Sequence, residues 1–154
     1  MVTGAQIVQE ARGWLGTRFR HQGRRRAAQG DRGGVDCIGL VIGVGKALGL
    51  TVFDMTGYGR DPDLEGRLLK SKCDALLLKS SYLAPGVIVL IEFGGYPRHM
   101  GIIGDYLGGG LSLIHSYVEA SGCVEHRLDE QWRSQIVERY TFPLTEIQAP
   151  SRAF

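Results

Sequence analysis

The segment GVDCIGLV places a cysteine at the predicted first turn of a helix. Asp36 is a typical N-cap residue, so Cys37 would occupy the first helical position. Unpaired N–H groups and the positive end of the helix dipole lower the pKa of a thiol there, and the thiolate is the reactive form. The same N–H groups can hold an oxyanion beside the sulfur. Cys37 is therefore either a nucleophile or, as most free cysteines are, a small buried hydrophobe.

Two histidines on neighbouring predicted strands favour the catalytic interpretation. A hairpin loop centred near residue 107 would pair His99 directly with His115, with Cβ atoms about 5 Å apart on one face of the sheet. A thiol nucleophile needs a first imidazole to take its proton and a second polar group to fix the tautomer and orientation of the first. The pair is therefore predicted to act as a general base and its orienting partner.

The remaining histidines and cysteines give weaker signals. His21 follows an arginine in a basic loop and is either a substrate contact or a surface residue. His126 alternates with apolar residues in a predicted strand, which favours a structural or surface role. Cys73 and Cys123 are predicted to be packing residues, and their spacing matches no metal or redox motif.

The elements that must position these residues are helices first and strands second. We predict helices over 3–15, from Asp36 to a stop at Gly49, and around 63–78, with a polar loop over 20–35. Buried or alternating strands are predicted over 87–93, 99–105, 111–117, 123–128 and 137–143. This order predicts an α+β fold in which N-terminal helices pack on a C-terminal antiparallel sheet. The glycines of the second helix predict close backbone approach that brings it to the sheet: Gly39, Gly43 and Gly45.

Length and composition restrict the class of protein. The 154 residues predict one domain over 1–154, and a net charge of +2 does not suggest a nucleic-acid partner. The six arginines of the segment 18–32 form either a solvated loop or an anion or partner contact. No apolar run is long enough to span a bilayer, and the N-terminus lacks the pattern of a signal peptide, so we expect synthesis and folding in a cytoplasm. Glycine is the outlier, with 23 residues.

Several segments together resemble the NlpC/P60 family of papain-like cysteine peptidases, and more closely its subgroup encoded with phage tails and gene transfer agents. They are WLGTRFRHQG (14–23), GVDCIGLV (34–41), APGVIVLIEF (84–93), HMGII (99–103) and LIHSY (113–117). The similarity covers a core of about residues 14–143. It implies a circularly permuted papain-like fold with the nucleophile helix packed on the antiparallel sheet.

The resemblance also implies residue roles. Cys37 matches the family nucleophile, His99 the general base and His115 the residue that orients it, with no metal and no cofactor. Such enzymes cleave peptidoglycan stem peptides, commonly between γ-D-glutamate and a diamino acid. The subgroup implies tail or tail-hub proteins as partners, assembly into a phage-like tail, and action in the periplasm or cell wall during entry.

The sequence departs from the family pattern at three positions. Ile38 replaces the usual Ser after the nucleophile, and Val87 replaces the usual acid after Pro-Gly. Phe19 replaces a Tyr whose hydroxyl can help to hold substrate or oxyanion. Asp36, Phe19 and His21 are the candidate substrate or oxyanion contacts.

Three functions remain open at this point. The first is a cysteine endopeptidase, a peptidoglycan hydrolase that works through a thioester. The second is a weak or inactive tail component that uses the same fold for structure or wall binding, as Phe19 and the arginine loop suggest. The third is a metal site of Cys37, His99 and His115, which would need a carboxylate partner that the sequence does not identify.

Overall fold

The computed structural model of the protein describes residues 1–51 and 53–150. Its helices are α1 (Gly4–Arg12), α2 (Cys37–Ala47), α3 (Pro62–Leu76) and α4 (Glu130–Ser134). Its strands are β1 (Val2–Thr3), β2 (Arg24–Arg25), β3 (Gly34–Val35), β4 (Leu78–Lys79), β5 (Ile88–Phe93), β6 (Tyr96–Asp105), β7 (Leu111–Tyr117), β8 (Gly122–Arg127), β9 (Ile136–Thr141) and β10 (Thr145–Glu146). None of the helices in these ranges is long and apolar enough to cross a membrane.

Local capping explains where the first two helices begin. The side chain of Thr3 accepts a hydrogen bond from Gln6 N–H, and the Gln6 side chain accepts one from Thr3 N–H, which completes a capping box. Asp36 caps α2, as predicted. The predicted helix over 3–15 is too long, because α1 ends at Arg12 and the chain then turns. Trp14 therefore packs from a turn, where it is still buried in the core.

One six-stranded antiparallel sheet forms the centre of the fold, in the order β4-β9-β5-β6-β7-β8. The apolar run predicted as a buried strand is β5, whose first four residues have no exposed surface. Helices α1 and α2 pack on one face, in a cluster that includes Met100 and Ile102. A second cluster on the other face includes Ile103 and Leu113. The predicted α+β class, with N-terminal helices on a C-terminal antiparallel sheet, is confirmed.

The glycines of α2 do allow close approach, but mainly to other parts of the chain than the sheet. A Cβ atom on Gly43 would collide with the indole of Trp14, and one on Gly39 with the carbonyl oxygen of Gly23. On Gly45 it would lie 2.9 Å from the ring of Phe142, just after β9. The expectation that these glycines bring the helix to the histidine strands is therefore wrong, because they accommodate the segments that wrap around the helix.

The hairpin between β6 and β7 has a different register from the predicted one. Ile102 pairs with Ile114 and Asp105 with Leu111, around a five-residue loop over 106–110. The ladder ends at Ile102, so the first half of β6 pairs only with β5. His99 and His115 are therefore not direct partners. If the observed register continued beyond Ile102, the residue opposite His99 would lie two positions from His115. Because side chains alternate between the two faces of a sheet, a shift of two residues leaves His99 and His115 on the same face.

Candidate active site

Cys37 is the first residue of α2, and its neighbour Asp36 organises the helix terminus. The Asp36 carboxylate accepts a 2.7 Å hydrogen bond from Gly39 N–H, and the Asp36 carbonyl accepts one from Leu40 N–H. Within the described chain, no oxygen atom accepts a hydrogen bond from the N–H groups of Cys37 and Ile38, which lie beside the Cys37 sulfur. These two donors at the positive end of the helix are available for an oxyanion next to the sulfur.

The Cys37 thiol is neutral at physiological pH. Burial raises the pKa of Cys37 to about 12, and the charge of Asp36 acts in the same direction. The N–H groups of Met100, Ile38 and Cys37 oppose this increase by stabilising the thiolate. The expectation of a lowered pKa at the helix terminus is therefore not met, because desolvation and the capping carboxylate outweigh the helix N–H groups.

His99 and His115 meet at the point where β6 and β7 separate. His99 Nε2 lies 2.7 Å from His115 Nδ1, and both rings are buried. Burial lowers the pKa of His99 to about 3, with a further contribution from the charge of Arg98. Burial also lowers the pKa of His115 to about 2, and the other imidazoles add to this effect. Both rings are therefore neutral at pH 7.

Cys37 and His99 line one pocket of about 300 Å³, together with the other predicted site residues Phe19, His21 and Asp36. His115 lies behind His99. No hydrogen bond joins Cys37 Sγ to His99 among residues 1–51 and 53–150. The structure thus brings nucleophile and base candidates to a shared cavity, with neutral side chains and without a direct bond between them.

Asp36 is fully occupied by partners within the protein. Besides the cap, its carboxylate accepts a 2.8 Å hydrogen bond from Gln22 N–H and a bond from the Tyr58 hydroxyl, and it pairs with Arg24 at 3.2 Å. These bonds hold the carboxylate away from incoming ligands. The sequence around Asp36 predicted its role as a helix cap but not its hydrogen bond with Tyr58. Tyr58 lies 22 residues away, in a segment whose sequence shows no helix or strand periodicity.

His21 and Phe19 hold different positions in the pocket. The His21 Nε2 atom lies 3.2 Å from the carbonyl oxygen of Tyr58, and the two rings meet edge to face. Phe19 contributes a ring without a hydroxyl, whereas Tyr58 brings a hydroxyl to the same pocket from a different segment. Tyr58 is thus a pocket residue that sequence reasoning missed.

His126 takes a structural position beside His115, a contact that the sequence did not predict. Its Nε2 atom lies 2.7 Å from His115 Nε2, so it continues the chain of imidazoles instead of taking an isolated surface position. The signal was present in the pairing of β7 with β8, where His126 lies opposite Leu113 and on the face of His115. Cys73 and Cys123 are buried and unpaired, in agreement with their predicted packing roles.

The arginine segment is neither a bare solvated loop nor an uncompensated basic patch. Arg24 pairs with Asp36 and Asp54, Arg25 with Asp31, and Arg26 with Glu10. Arg18 donates to the carbonyl oxygen of Gly33. Three of the six arginines are therefore neutralised by carboxylates, and Arg24 ties the loop to the pocket wall.

No group of three or more His, Cys, Asp or Glu side chains in the described ranges is arranged to hold a metal ion. The hypothesis of a site formed by Cys37, His99 and His115 therefore has no geometric support in this part of the chain.

No protein-family model matches the sequence. A comparison with curated protein sequences also finds no match. Structural similarity is extensive. The NlpC/p60 domain of the peptidoglycan hydrolase SagA is 23% identical, with a TM-score of 0.54, over 91% of this chain and 99% of that domain. The P60 domain of the M. avium subspecies paratuberculosis antigen MAP1204 is 15% identical, with a TM-score of 0.54, over 90% of this chain and 95% of the other.

A third structure, Ly7917, is 19% identical with a TM-score of 0.56, and the match covers 92% of this chain and 63% of Ly7917. At these identities the comparisons establish the fold. The capped helix with Cys37, packed on an antiparallel sheet that carries the histidines, is therefore the papain-like fold seen in NlpC/P60 domains.

Proposed function

We propose that the chain is a cysteine peptidase that hydrolyses peptide bonds in bacterial peptidoglycan. The observation that carries the proposal is the shared pocket of Cys37 and His99, with His99 hydrogen-bonded to a second imidazole behind it. The NlpC/p60 domain among the structural neighbours belongs to a protein described as a peptidoglycan hydrolase, which supports the substrate class.

The neutral side chains favour general-base catalysis over a preformed ion pair. The free Nδ1 atom of His99 takes the proton of Cys37 as the sulfur attacks the scissile carbonyl carbon. The N–H groups of Cys37 and Ile38 stabilise the tetrahedral oxyanion. His99 then gives the proton to the leaving amine, the C–N bond breaks and a thioester remains. Water attacks the thioester while His99 takes its proton, and Cys37 regains that proton as the carboxylic acid leaves.

The pocket suits a short peptide with charges of both signs. Its wall carries the cations Arg98 and Lys72 and the carboxylates Asp36, Glu65 and Glu119 among mainly apolar side chains. The Nε atom of Arg98 is buried and has no hydrogen-bond partner among the described residues. A donor without an acceptor in a pocket wall is suited to a substrate carboxylate or carbonyl. These features are compatible with the substrate that the resemblance to NlpC/P60 peptidases implies, a stem peptide of the γ-D-glutamyl–diamino acid type.

The resemblance to the phage-tail and gene-transfer-agent subgroup supports a setting for this activity. In that setting the protein is made in the bacterial cytoplasm, assembles with tail or tail-hub proteins, and acts on the wall in the periplasm during entry. Copurification with tail proteins of the same genome would test the partners, and retention of the protein in purified particles would test the location.

A non-catalytic wall-binding component is the second candidate function. It is favoured by the high pKa of the Cys37 thiol and by the lack of a hydrogen bond between Cys37 Sγ and His99 in the described ranges. This candidate predicts that the protein binds sacculi without the release of fragments.

Mass analysis of digested sacculi distinguishes the two functions. We expect wild-type protein to release peptide fragments with a new diamino-acid N-terminus, which leaves new γ-D-glutamate carboxyl termini on the glycan, and Cys37→Ala to release none. Cys123→Ala is the matched control, because Cys123 is a buried free cysteine outside the pocket. Equal release by wild type and Cys37→Ala would refute the mechanism, and binding without release by either protein would support the second candidate.

A further inference from the structure

The chain of hydrogen-bonded imidazoles is longer than a base and its partner require. His99 Nε2 lies 2.7 Å from His115 Nδ1, and His115 Nε2 lies 2.7 Å from His126 Nε2. The last ring ends on the backbone, because His126 Nδ1 lies 2.9 Å from the carbonyl oxygen of Arg127. Three histidines therefore link the pocket wall to one fixed backbone acceptor.

That acceptor determines where every proton of the neutral chain lies. A carbonyl oxygen only accepts, so His126 Nδ1 must carry a hydrogen and, in the neutral ring, His126 Nε2 must accept. His115 Nε2 must then donate, which leaves His115 Nδ1 as an acceptor. His99 Nε2 must donate in turn, and His99 Nδ1 is left without a proton. If every donor and acceptor in the chain were reversed, His126 Nδ1 would be unprotonated and would face the carbonyl oxygen of Arg127, and neither atom could donate a hydrogen bond.

Aromatic side chains shield this arrangement from competing partners. Phe93 stacks on His99 with ring centroids 4.3 Å apart, and Tyr117 stacks on His115 at 4.4 Å. The indole of Trp132 lies 4.8 Å from the His115 ring and 5.2 Å from the His126 ring. His99 and His115 are buried and have few alternative hydrogen-bond partners, so their order of donors and acceptors follows from the contact that the half-buried His126 makes with Arg127.

We propose that His126 is a positioning residue that, anchored on the Arg127 carbonyl, sets the tautomers of His115 and His99 and keeps His99 Nδ1 free to act as a base. The catalytic consequence rests on the proposed cysteine peptidase function, whereas the tautomer order is a property of the resting protein. His126 does not line the pocket. Its effect on a reaction is therefore transmitted through the other two rings.

Two substitutions separate this role from a packing role. His126→Phe keeps a planar ring but removes the acceptor for His115 Nε2–H. His126→Gln supplies a side-chain oxygen near the position of Nε2 and so retains an acceptor. We expect kcat to fall about 10- to 100-fold in His126→Phe with KM nearly unchanged, which is less than loss of the base itself would cause. His126→Gln should recover most of the rate.

The tautomers can be read without any substrate. In ¹⁵N-histidine-labelled protein, long-range ¹H–¹⁵N correlations distinguish Nδ1–H from Nε2–H rings, and the chain has only four histidines to assign. At pH 7 the wild type should show the Nε2–H form for His99 and His115 and the Nδ1–H form for His126. His126→Phe should lose the single tautomer at His115, while retained near-UV circular dichroism confirms its fold.

The outcomes separate the two proposals. If wild type shows these tautomers but digests no sacculi, the peptidase proposal fails and the tautomer order stands. If wild type digests sacculi and His126→Phe has the same kcat and the same His99 tautomer, the positioning role is refuted. A different tautomer at His126 in the wild type also refutes it. If His126→Phe is unfolded, the rate and spectrum of His126→Gln decide in the same way.

Discussion

His99 Nε2 and His115 Nδ1 lie 2.7 Å apart in an enclosure that leaves both imidazoles buried and neutral. Burial lowers the pKa of His99 to about 3 and that of His115 to about 2. Two bases are thus kept unprotonated far below the pH at which a histidine ordinarily gains its proton. This arrangement provides a base at neutral pH, and it also makes the folded state sensitive to acid.

We expect the free energy of unfolding to decrease by about 3 kcal/mol between pH 7.5 and pH 5.5. An unfolded histidine has a pKa of about 6.5, so below that value the unfolded state binds protons that folded His99 and His115 do not. The contribution of the two neutral histidines to the free energy of unfolding is fully present above about pH 6.5 and is lost progressively as the pH falls below that value. Urea unfolding at the two pH values measures the loss. His115→Phe should remove roughly half of it, and a pH-independent free energy would contradict the buried neutral pair.

A methyl group on Gly101 should disturb the histidine pair directly. The Cβ atom of Gly101→Ala would lie 2.6 Å from Leu113 Cδ1 and 3.2 Å from His115 Cβ. Overpacking of this kind costs about 1–3 kcal/mol, and relief would move His115 away from His99. We expect a lower free energy of unfolding together with a lower kcat on sacculi. Gly59→Ala is the matched control, because nothing lies within 4 Å of its added Cβ.

The sequence predicted features that depend on near neighbours and missed those that depend on distant ones. The caps Thr3 and Asp36 were predicted because capping involves residues two or three positions apart. The register of the hairpin around the glycine-rich loop over 106–110 was not predicted correctly. Loops of different lengths and turn types can join the same two strands in different registers, so the sequence does not determine the pairing by itself. The hydrogen bond of His126 to His115 was not predicted, because its partner lies on the adjacent strand and the pairing of β7 with β8 was not predicted residue by residue.

Arg24 should be the arginine of the 18–32 segment whose loss costs the most stability. It pairs with Asp36 and Asp54 and donates to the Met55 carbonyl and the Tyr58 hydroxyl, so it joins β2 to the pocket wall. Arg24→Met should lower the free energy of unfolding by about 2 kcal/mol, because the buried Asp36 carboxylate loses a charged partner.

Arg25→Met is the control for Arg24→Met. Among the described residues, the Arg25 side chain pairs with Asp31 alone, and this exposed ion pair is expected to contribute little to the free energy of unfolding. Urea unfolding of both variants compares the two arginines within one segment. Equal decreases in the free energy of unfolding of Arg24→Met and Arg25→Met would show that Arg24 stabilises the fold no more than an exposed arginine does.

Arg98 is expected to contribute to substrate binding and not to chemistry. Arg98 lines the pocket, and its buried Nε atom has no hydrogen-bond partner among the described residues. Arg98→Met keeps most of the aliphatic volume and removes the donors, so we expect KM for a soluble stem peptide to rise about tenfold, with kcat little changed. Lys72→Met, at another cation of the pocket, is the comparison. A fall in kcat without a change in KM would contradict the assignment.

The reactivity of Cys37 tests whether the thiol and imidazole form an ion pair at rest. With its pKa raised to about 12 by burial, the thiolate fraction of Cys37 at pH 7 is on the order of a thousandfold below that of a free thiol. We therefore expect iodoacetamide to label Cys37 more slowly than glutathione at pH 7, with a rate that increases steadily up to pH 10 by site-resolved mass spectrometry. His99→Gln should label at nearly the wild-type rate, because a neutral base does not create the thiolate before substrate binds. Rapid labelling at pH 7 that disappears in His99→Gln would instead demonstrate a preformed thiolate–imidazolium pair.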